Sequence, residues 1–367
     1  MSKLIVEACK IEKVENHPNA DRLDIVTVKG WNCIVGRDNY KVGDVVIYCP
    51  PDSVIPDDII EKYNLEYLKK NGRVGTVKLR GYISQGLILD IPKEFSRYAK
   101  VGMDFAKMLK ITKYEPPTPS FQQSTGKITK KKKNPLFDRY TEIENIKNYN
   151  GVFQDCDDVV ITEKIHGTNF RAGILDISPG KGIIGKLKFL FQKYILKQSK
   201  EFVYGSHNVQ LGAFSRRTFY KKNVYAEIAK RYDLVNKLNT TGAQNIIIYG
   251  EIYGAGIQKG YEYGLEDIDV VFFDVKINGR YMSFDEFELF CKSRNLPIVP
   301  VLYEGDYSEE IRQKYSKGKS ILCPKQKIRE GCVIKSLFEE NNPRVGRKIL
   351  KSVNDDYLLI KDRTDYK

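Results

Sequence analysis

Lys164 lies in the segment Glu163-Lys164-Ile165-His166-Gly167-Thr168-Asn169, a potential nucleophile flanked by a carboxylate and followed by a histidine and a glycine. A lysine amine attacks an electrophile only after losing its proton, and neighbouring cations or burial favour that loss. Lys335, in Glu330-Gly331-Cys332-Val333-Ile334-Lys335, and Lys351, in Lys348-Ile349-Leu350-Lys351, can supply such cations. The same charges suit negative charge developing on phosphoryl oxygens. Gly167 lets the backbone turn closely beneath a ligand. Two more stretches belong with these: Tyr249-Gly250-Glu251-Ile252-Tyr253-Gly254 and Phe272-Phe273-Asp274-Val275. Taken singly, each has a plain reading: a surface lysine, a glutamate at a strand end, a core phenylalanine, a glycine turn. Their joint occurrence in one order favours a common site.

Composition narrows the chemistry further. The 367 residues suffice for two domains, each with its own core. A net charge of +14 favours polyanionic partners, because cationic side chains displace counterions condensed on phosphate backbones. No apolar run approaches the roughly 18–20 residues that span a bilayer, and residues 1–10 read as a strand rather than a signal peptide. The expectation is therefore nucleic acid rather than a membrane, with no required protein partner evident. The seven cysteines stand apart without a Cys-x-x-Cys pair, which supports neither a zinc ribbon nor a thioredoxin-type redox pair and fits reduced thiols in a cytoplasmic or nuclear setting. His17, His166 and His207 are far apart in sequence. A divalent ion, if needed, is then Mg²⁺ or Mn²⁺ held by carboxylates and substrate phosphates.

The elements that must position these residues fall into two parts. Residues 1–110 read as short strands between turn signals: Leu23–Val28, a turn at Gly30 and Trp31, Val45–Cys49 stopped by Pro50-Pro51, and residues 86–89, with a helical insert around 56–70. That spacing suggests a small β-barrel. Residues 111–139 have linker chemistry, with Pro116, Pro117 and Pro119 followed by Lys130-Lys131-Lys132-Lys133. Residues 140–367 mix strands, such as 246–249 and 270–273, with helices, such as 283–293 capped by Ser283 with Glu286 at the third helical position. The expected class is α+β: an N-terminal OB-like β-barrel, then a domain of antiparallel sheets and helices.

The five stretches, in this order, resemble the covalent nucleotidyltransferases, the superfamily of polynucleotide ligases and capping enzymes. The His166-Gly167-Thr168-Asn169 ending is similar to the ATP-dependent RNA ligases, and an OB-like domain placed first resembles their branch with an N-terminal OB module. The resemblance covers roughly residues 150–367. It implies an ATP-grasp-like ligase adenylylation domain in which Lys164 takes AMP from ATP. It further implies that Glu163 accepts from the adenine amino group, Asn169 bonds a ribose hydroxyl, and Phe273 stacks on adenine. Glu251 and Glu330 suit ribose and a divalent cation, Asp274 assists metal or substrate placement, and His166 sits near the phosphates. The arginine of the second motif is replaced, either by His207 in Gly205-Ser206-His207-Asn208 or by Arg216 or Arg217. The last motif has Lys351 followed by Val353, so one of its usual two lysines is missing or Lys348 takes the role. Tyr140-Thr141-Glu142-Ile143-Glu144-Asn145 resembles the entry segment of the RNA ligases.

In the N-terminal part, Asn16-His17-Pro18-Asn19-Ala20-Asp21-Arg22-Leu23 and Arg80-Gly81-Tyr82-Ile83-Ser84-Gln85-Gly86-Leu87 partly resemble that branch, and the first string is also similar to tRNA-binding OB domains. The first string reads equally as a strand-opening turn. Arg80 is a candidate RNA contact, with Arg22, Lys29, Arg37, Lys41 and Lys78 along a strand-tracking groove. The expected activity is joining of a 3′-hydroxyl to a 5′-phosphate RNA end, in RNA repair, through lysyl-AMP and RNA-adenylate. The alternatives are a DNA ligase or capping enzyme, against which Asn169 counts, and a non-catalytic RNA-binding protein with a degenerate ligase domain, for which the incomplete last motif counts.

Overall fold

The computed structural model describes residues 4–69, 71–114, 134–178, 183, 187, 189–195, 199–212, 223–239, 243–257 and 261–360. Lys130 to Lys133, the linker prolines, Arg216 and Arg217 lie outside them. The chain divides into two compact units: Met1–Pro117, Glu142–Phe153 and Leu350–Lys367 form one, Thr118–Thr141 and Gln154–Ile349 the other.

The first unit is built from short antiparallel strands in an OB-like arrangement. Lys13–Asn16, Leu23–Val28 and Trp31–Gly36 form one sheet, and Glu7–Lys10, Val45–Cys49 and Leu87–Leu89 another. Ile47 and Cys49 enter one core with Val6, Leu89 and Phe105, while Val46 and Tyr48 enter a second with Val26 and Trp31. Burial on both faces explains the unbroken apolar run of residues 46–49, while Val45 at the strand's start is exposed. The turn expected at Gly30 and Trp31 falls one residue earlier, on Lys29 (φ 52°) and Gly30 (φ 72°). Trp31 is instead 2% exposed at the start of a strand, where its large ring gains more by packing than at a turn. The helical insert is Asp57–Lys62, which buries Ile59 and Ile60.

His17-Pro18-Asn19-Ala20 forms the turn before Leu23–Val28, closed by Ala20 N–H donating to the His17 carbonyl at 3.3 Å. The His17 ring spans from the Asn19 N–H, at 3.1 Å from Nδ1, to the Leu79 carbonyl, at 3.2 Å from Nε2. Nδ1 accepts, so the proton sits on Nε2 and points at Leu79. Two stretches distant in sequence complete this unit. Glu144 and Asn145 pair in parallel with Leu350 and Lys351. Trp31 Nε1 donates to Asn148 Oδ1 at 3.2 Å, and the Lys147 ammonium lies 4.6 Å from the Trp31 ring centroid. Asp355 accepts from both Gln85 (3.2 Å) and Lys147 (3.3 Å).

The second unit has two antiparallel ladders. In one, Asp158–Glu163 lies between Val301–Asp306 and Gly331–Ser336. In the other, Thr168–Asp176 pairs with Lys200–Gly205 and Ile246–Gly254, which in turn pairs with Ile268–Ile277. Alternate residues of this second ladder, Phe170, Ala172, Ile248, Ile252, Val270 and Phe272 among them, form the core with helices Val224–Arg231 and Phe284–Lys292. The helix predicted over 283–293 is confirmed down to its capping box: Ser283 Oγ accepts from the Glu286 N–H and the Glu286 carboxylate from the Ser283 N–H. The opposite face of the ladder carries Asn169, Glu251, Phe273 and Asp274. The pairing register shifts between Tyr249 and Gly250, which leaves Phe273 without an opposite residue. That bulge lets two consecutive side chains, Phe273 and Asp274, both reach Tyr140.

Candidate active site

Pairing of Glu163 with Cys332 brings the end of one strand to the start of another, so Lys164 faces Glu330 across the ladder. The Lys164 N–H donates to the Gly331 carbonyl at 3.0 Å. Its ammonium lies 2.5 Å from Glu330 Oε1, and His166 Nδ1 lies 3.5 Å from Glu330 Oε2. Glu330 is 1% exposed, so one buried carboxylate joins two sequence-predicted residues. Tyr263 fixes His166 from behind: its hydroxyl accepts the His166 N–H at 2.8 Å. Tyr261 lies 5.0 Å from the His166 ring. Sequence reasoning misses both tyrosines, because an aromatic pair in a Gly-rich stretch carries no motif of its own.

Glu163 is equally buried, and its two oxygens differ. Oε2 accepts the Ile321 N–H at 2.7 Å, whereas buried Oε1 has no partner. Burial raises the Glu163 pKa, against hydrogen bonds from Ser320 and Ile321 and the charge of Arg329. Asn169 Oδ1 is likewise buried without a partner. An unsatisfied buried acceptor costs about 1–3 kcal/mol, so this pair marks a place suited to a ligand that brings donors. Asn169 is paired directly with Glu251 in the neighbouring strand. Gly167 serves close approach: a Cβ there would meet the Ile252 carbonyl oxygen at 2.2 Å and Glu251 Cγ at 2.8 Å.

Phe273 packs edge-on to Tyr140 at 4.8 Å between centroids. Asp274, fully buried, is saturated by protein donors. Its Oδ2 accepts from the Tyr140 hydroxyl (2.8 Å), Arg347 Nη2 (2.8 Å) and Lys335 Nζ (3.4 Å), and its Oδ1 from the Val275 N–H (2.9 Å). Lys335 Nζ also reaches Glu339 at 2.8 Å and the Met282 carbonyl at 3.3 Å. Arg347 completes the group: its Nε donates to Glu339 Oε2 at 2.9 Å, and its guanidinium carbon lies 3.5 Å from the Tyr281 ring centroid. Burial alone would lower the Arg347 pKa, but the Asp274 and Glu339 carboxylates hold it well above the ordinary arginine range. Motif reading does not single out Arg347, since Asn-Asn-Pro-Arg-Val-Gly-Arg reads as a basic loop.

His207 is half-buried in the bend after Lys200–Gly205. Arg171 anchors this bend, donating from Nε to the Ser206 carbonyl at 3.0 Å and from Nη1 to the Phe137 carbonyl at 2.6 Å. Burial lowers its pKa to about 10. The Lys348 ammonium is occupied by Asp157 (2.9 Å) and Glu340 (3.0 Å). Lys351 lies in the first unit, opposite Asn145. Asn145 accepts from the Lys147 N–H at 3.0 Å. Arg80 is exposed at the tip between Thr76–Leu79 and Tyr82–Gln85, in a left-handed conformation (φ 45°) with its carbonyl held by Asn19 at 2.9 Å. Among the described residues no three His, Cys, Asp or Glu side chains converge as a ready metal site.

Comparison with known proteins agrees with this geometry. An OB-fold domain model matches residues 5–91. An RNA ligase of Naegleria gruberi, solved as a lysine-to-alanine variant with ATP and Mn, has a TM-score of 0.71 at 23% identity, covering 97% of this chain and 98% of that one. The same ligase solved with pyrophosphate gives 0.70 at 22% identity, again covering 97% and 98%. These likenesses show the fold, an OB-like domain followed by a nucleotidyltransferase domain. The phenylalanine–tRNA ligase beta subunit of Clostridium tetani is 28% identical over 110 residues, which is 28% of this chain and 13% of that protein's length. The RNA ligase family model matches residues 157–353, more than half of the chain and every one of the five stretches from Lys164 to Lys351. The chain belongs to the RNA ligase family.

Proposed function

We propose that the protein is an ATP-dependent RNA ligase that self-adenylylates on Lys164 and joins a 3′-hydroxyl to a 5′-phosphate RNA end in RNA repair. One observation carries this reading: the Lys164 ammonium, sharing Glu330 with His166, is accompanied by two buried acceptors that lack donors, Glu163 Oε1 and Asn169 Oδ1. An adenosine offers the matching donors, an exocyclic amine and ribose hydroxyls, and Phe273 offers an aromatic face for the base.

In the first step the Lys164 amine bonds the α-phosphorus of ATP and the bond to the bridging oxygen breaks, releasing pyrophosphate. Glu330 Oε1, at 2.5 Å, is placed to take the amine proton. AMP then passes to the 5′-phosphate of an RNA end. The 3′-hydroxyl of the other end attacks that phosphate and AMP leaves. Lys335 and Lys351 supply positive charge for these phosphates. Glu330 and Asp274 are engaged by protein cations, so they do not suit a ready-made metal cage. Glu251 would be the residue to hold a Mg²⁺ or Mn²⁺ ion arriving with the phosphates, and such an ion would neutralise phosphate charge. His207 and Arg80, with Arg216 in the segment after His207, are the proposed contacts to RNA.

The test is incubation with α-labelled ATP and divalent metal, followed by denaturing electrophoresis. Label is expected on the wild type and absent from Lys164→Ala. A wild type that binds RNA yet never takes label, across metals and pH, would replace this reading with that of a non-catalytic RNA-binding protein.

A further inference from the structure

We infer that Arg347 is a reserve counterion that makes Lys335 transferable: it keeps Asp274 and Glu339 neutralised so that the Lys335 ammonium can leave them for the substrate phosphates. The inference rests on the adenylylation reading and gives it a positioning residue outside the motifs.

The group holds two carboxylates, Asp274 and Glu339, and two cations, Lys335 and Arg347. The cations are bound differently. Arg347 uses Nε on one Glu339 oxygen and Nη2 on the other and on Asp274, and its planar face lies on Tyr281. A forked, stacked guanidinium of this kind is fixed in place. Lys335 is a point charge on a flexible stem, with one good contact (2.8 Å to Glu339) and two long ones (3.4 Å to Asp274, 3.3 Å to the Met282 carbonyl).

Departure of Lys335 from this group leaves neither carboxylate without a partner. Asp274 retains the Tyr140 hydroxyl, Arg347 Nη2 and the Val275 N–H; Glu339 retains the two-pronged Arg347 interaction. Removal of Arg347 has the opposite effect. Two carboxylates, one of them fully buried, would then share one ammonium, and an unpaired buried charge is strongly disfavoured. Lys335 would be locked to them. Arg347 thus acts through Lys335 and touches no reacting atom.

The test compares wild type, Arg347→Met, Arg347→Lys and the double variant Arg347→Met/Glu339→Gln, using single-turnover formation of the AMP adduct from α-labelled ATP, with melting temperatures measured alongside. Arg347→Met is expected to slow adduct formation about 100-fold at saturating ATP, through weaker charge stabilisation at the phosphates. Its effect on half-saturation by ATP should be smaller. Arg347→Lys, which keeps the charge but not the fork, should lie between. The double variant removes one carboxylate with the cation, so that Lys335 answers to Asp274 alone; it should recover part of the lost rate, about tenfold over Arg347→Met, a coupling that purely structural damage would not give. Recovery is decisive even if Arg347→Met alone folds poorly. A double variant as slow as Arg347→Met, or an Arg347→Met rate equal to wild type, overturns the inference while leaving the labelled wild type intact. An unlabelled wild type overturns the adenylylation reading itself, and this inference with it.

Discussion

At the scale of single residues, Glu163 couples the candidate nucleotide pocket to the stability of the fold. Burial raises its pKa above 4.5, so the folded state holds this proton more tightly than the unfolded chain. A raised carboxyl contributes stability that is complete below the unfolded pKa and lost as pH rises through the folded one. Glu163→Gln cannot titrate and escapes that loss. Its melting temperature, relative to wild type, should therefore climb by a few degrees between pH 4 and pH 7; a constant difference across that range would show that Glu163 is not penalised by burial. Residue type and order suffice to select Lys164, His166 and Glu330, and the strand pairing of Glu163 with Cys332 brings them together. Sequence cannot show that Asp274 and Lys335 are partners of each other, because that depends on a bulge opposite Tyr249 and Gly250. Nor can it show that Arg347 joins them from a loop.

At the scale of elements, the capping box of helix Phe284–Lys292 has a measurable weight. Ser283→Ala removes the acceptor for the Glu286 N–H, 3.3 Å away, and should lower stability by about 1 kcal/mol. Denaturant titration checks this, and adduct formation should be unchanged, since this cap holds the helix and not the Lys164 end of the fold. The same signal makes the helix legible in the sequence, as do the apolar runs of strands Leu23–Val28 and Val45–Cys49. The turn beside Trp31 is harder to place, and it falls one residue earlier than expected. Glycine marks the bend there, while the core claims the tryptophan next to it.

At the scale of the whole molecule, sequence places an OB-like part before a nucleotidyltransferase part, and the family and fold comparisons agree. Composition does not reveal that residues 142–153 and 350–367 belong to the first unit, through Lys147 on Trp31 and Asp355 on Gln85. The proposed RNA contact by the first unit can be tested without removing it. Lys78→Ala with Arg80→Ala, both exposed, should weaken RNA sealing and reduce the dependence of log affinity on log salt by about 0.7 for each phosphate no longer neutralised. Adduct formation on Lys164 should be unaffected; an unchanged salt slope would remove this hairpin from the RNA path. The three-part make-up of the first unit also bears on biosynthesis. As the chain leaves the ribosome, its opening strands appear first, but Asp355 and the strand carrying Lys351 arrive only after the intervening 154–349 have been made. The nascent protein must hold an unfinished first unit while residues 154–349 are made, and Gln85 waits for a partner 270 residues away. Completion of that unit is therefore deferred until the strand carrying Lys351 and the residues up to Asp355 have been made, so a product terminated before them carries the Lys164 segment but never gains Lys351.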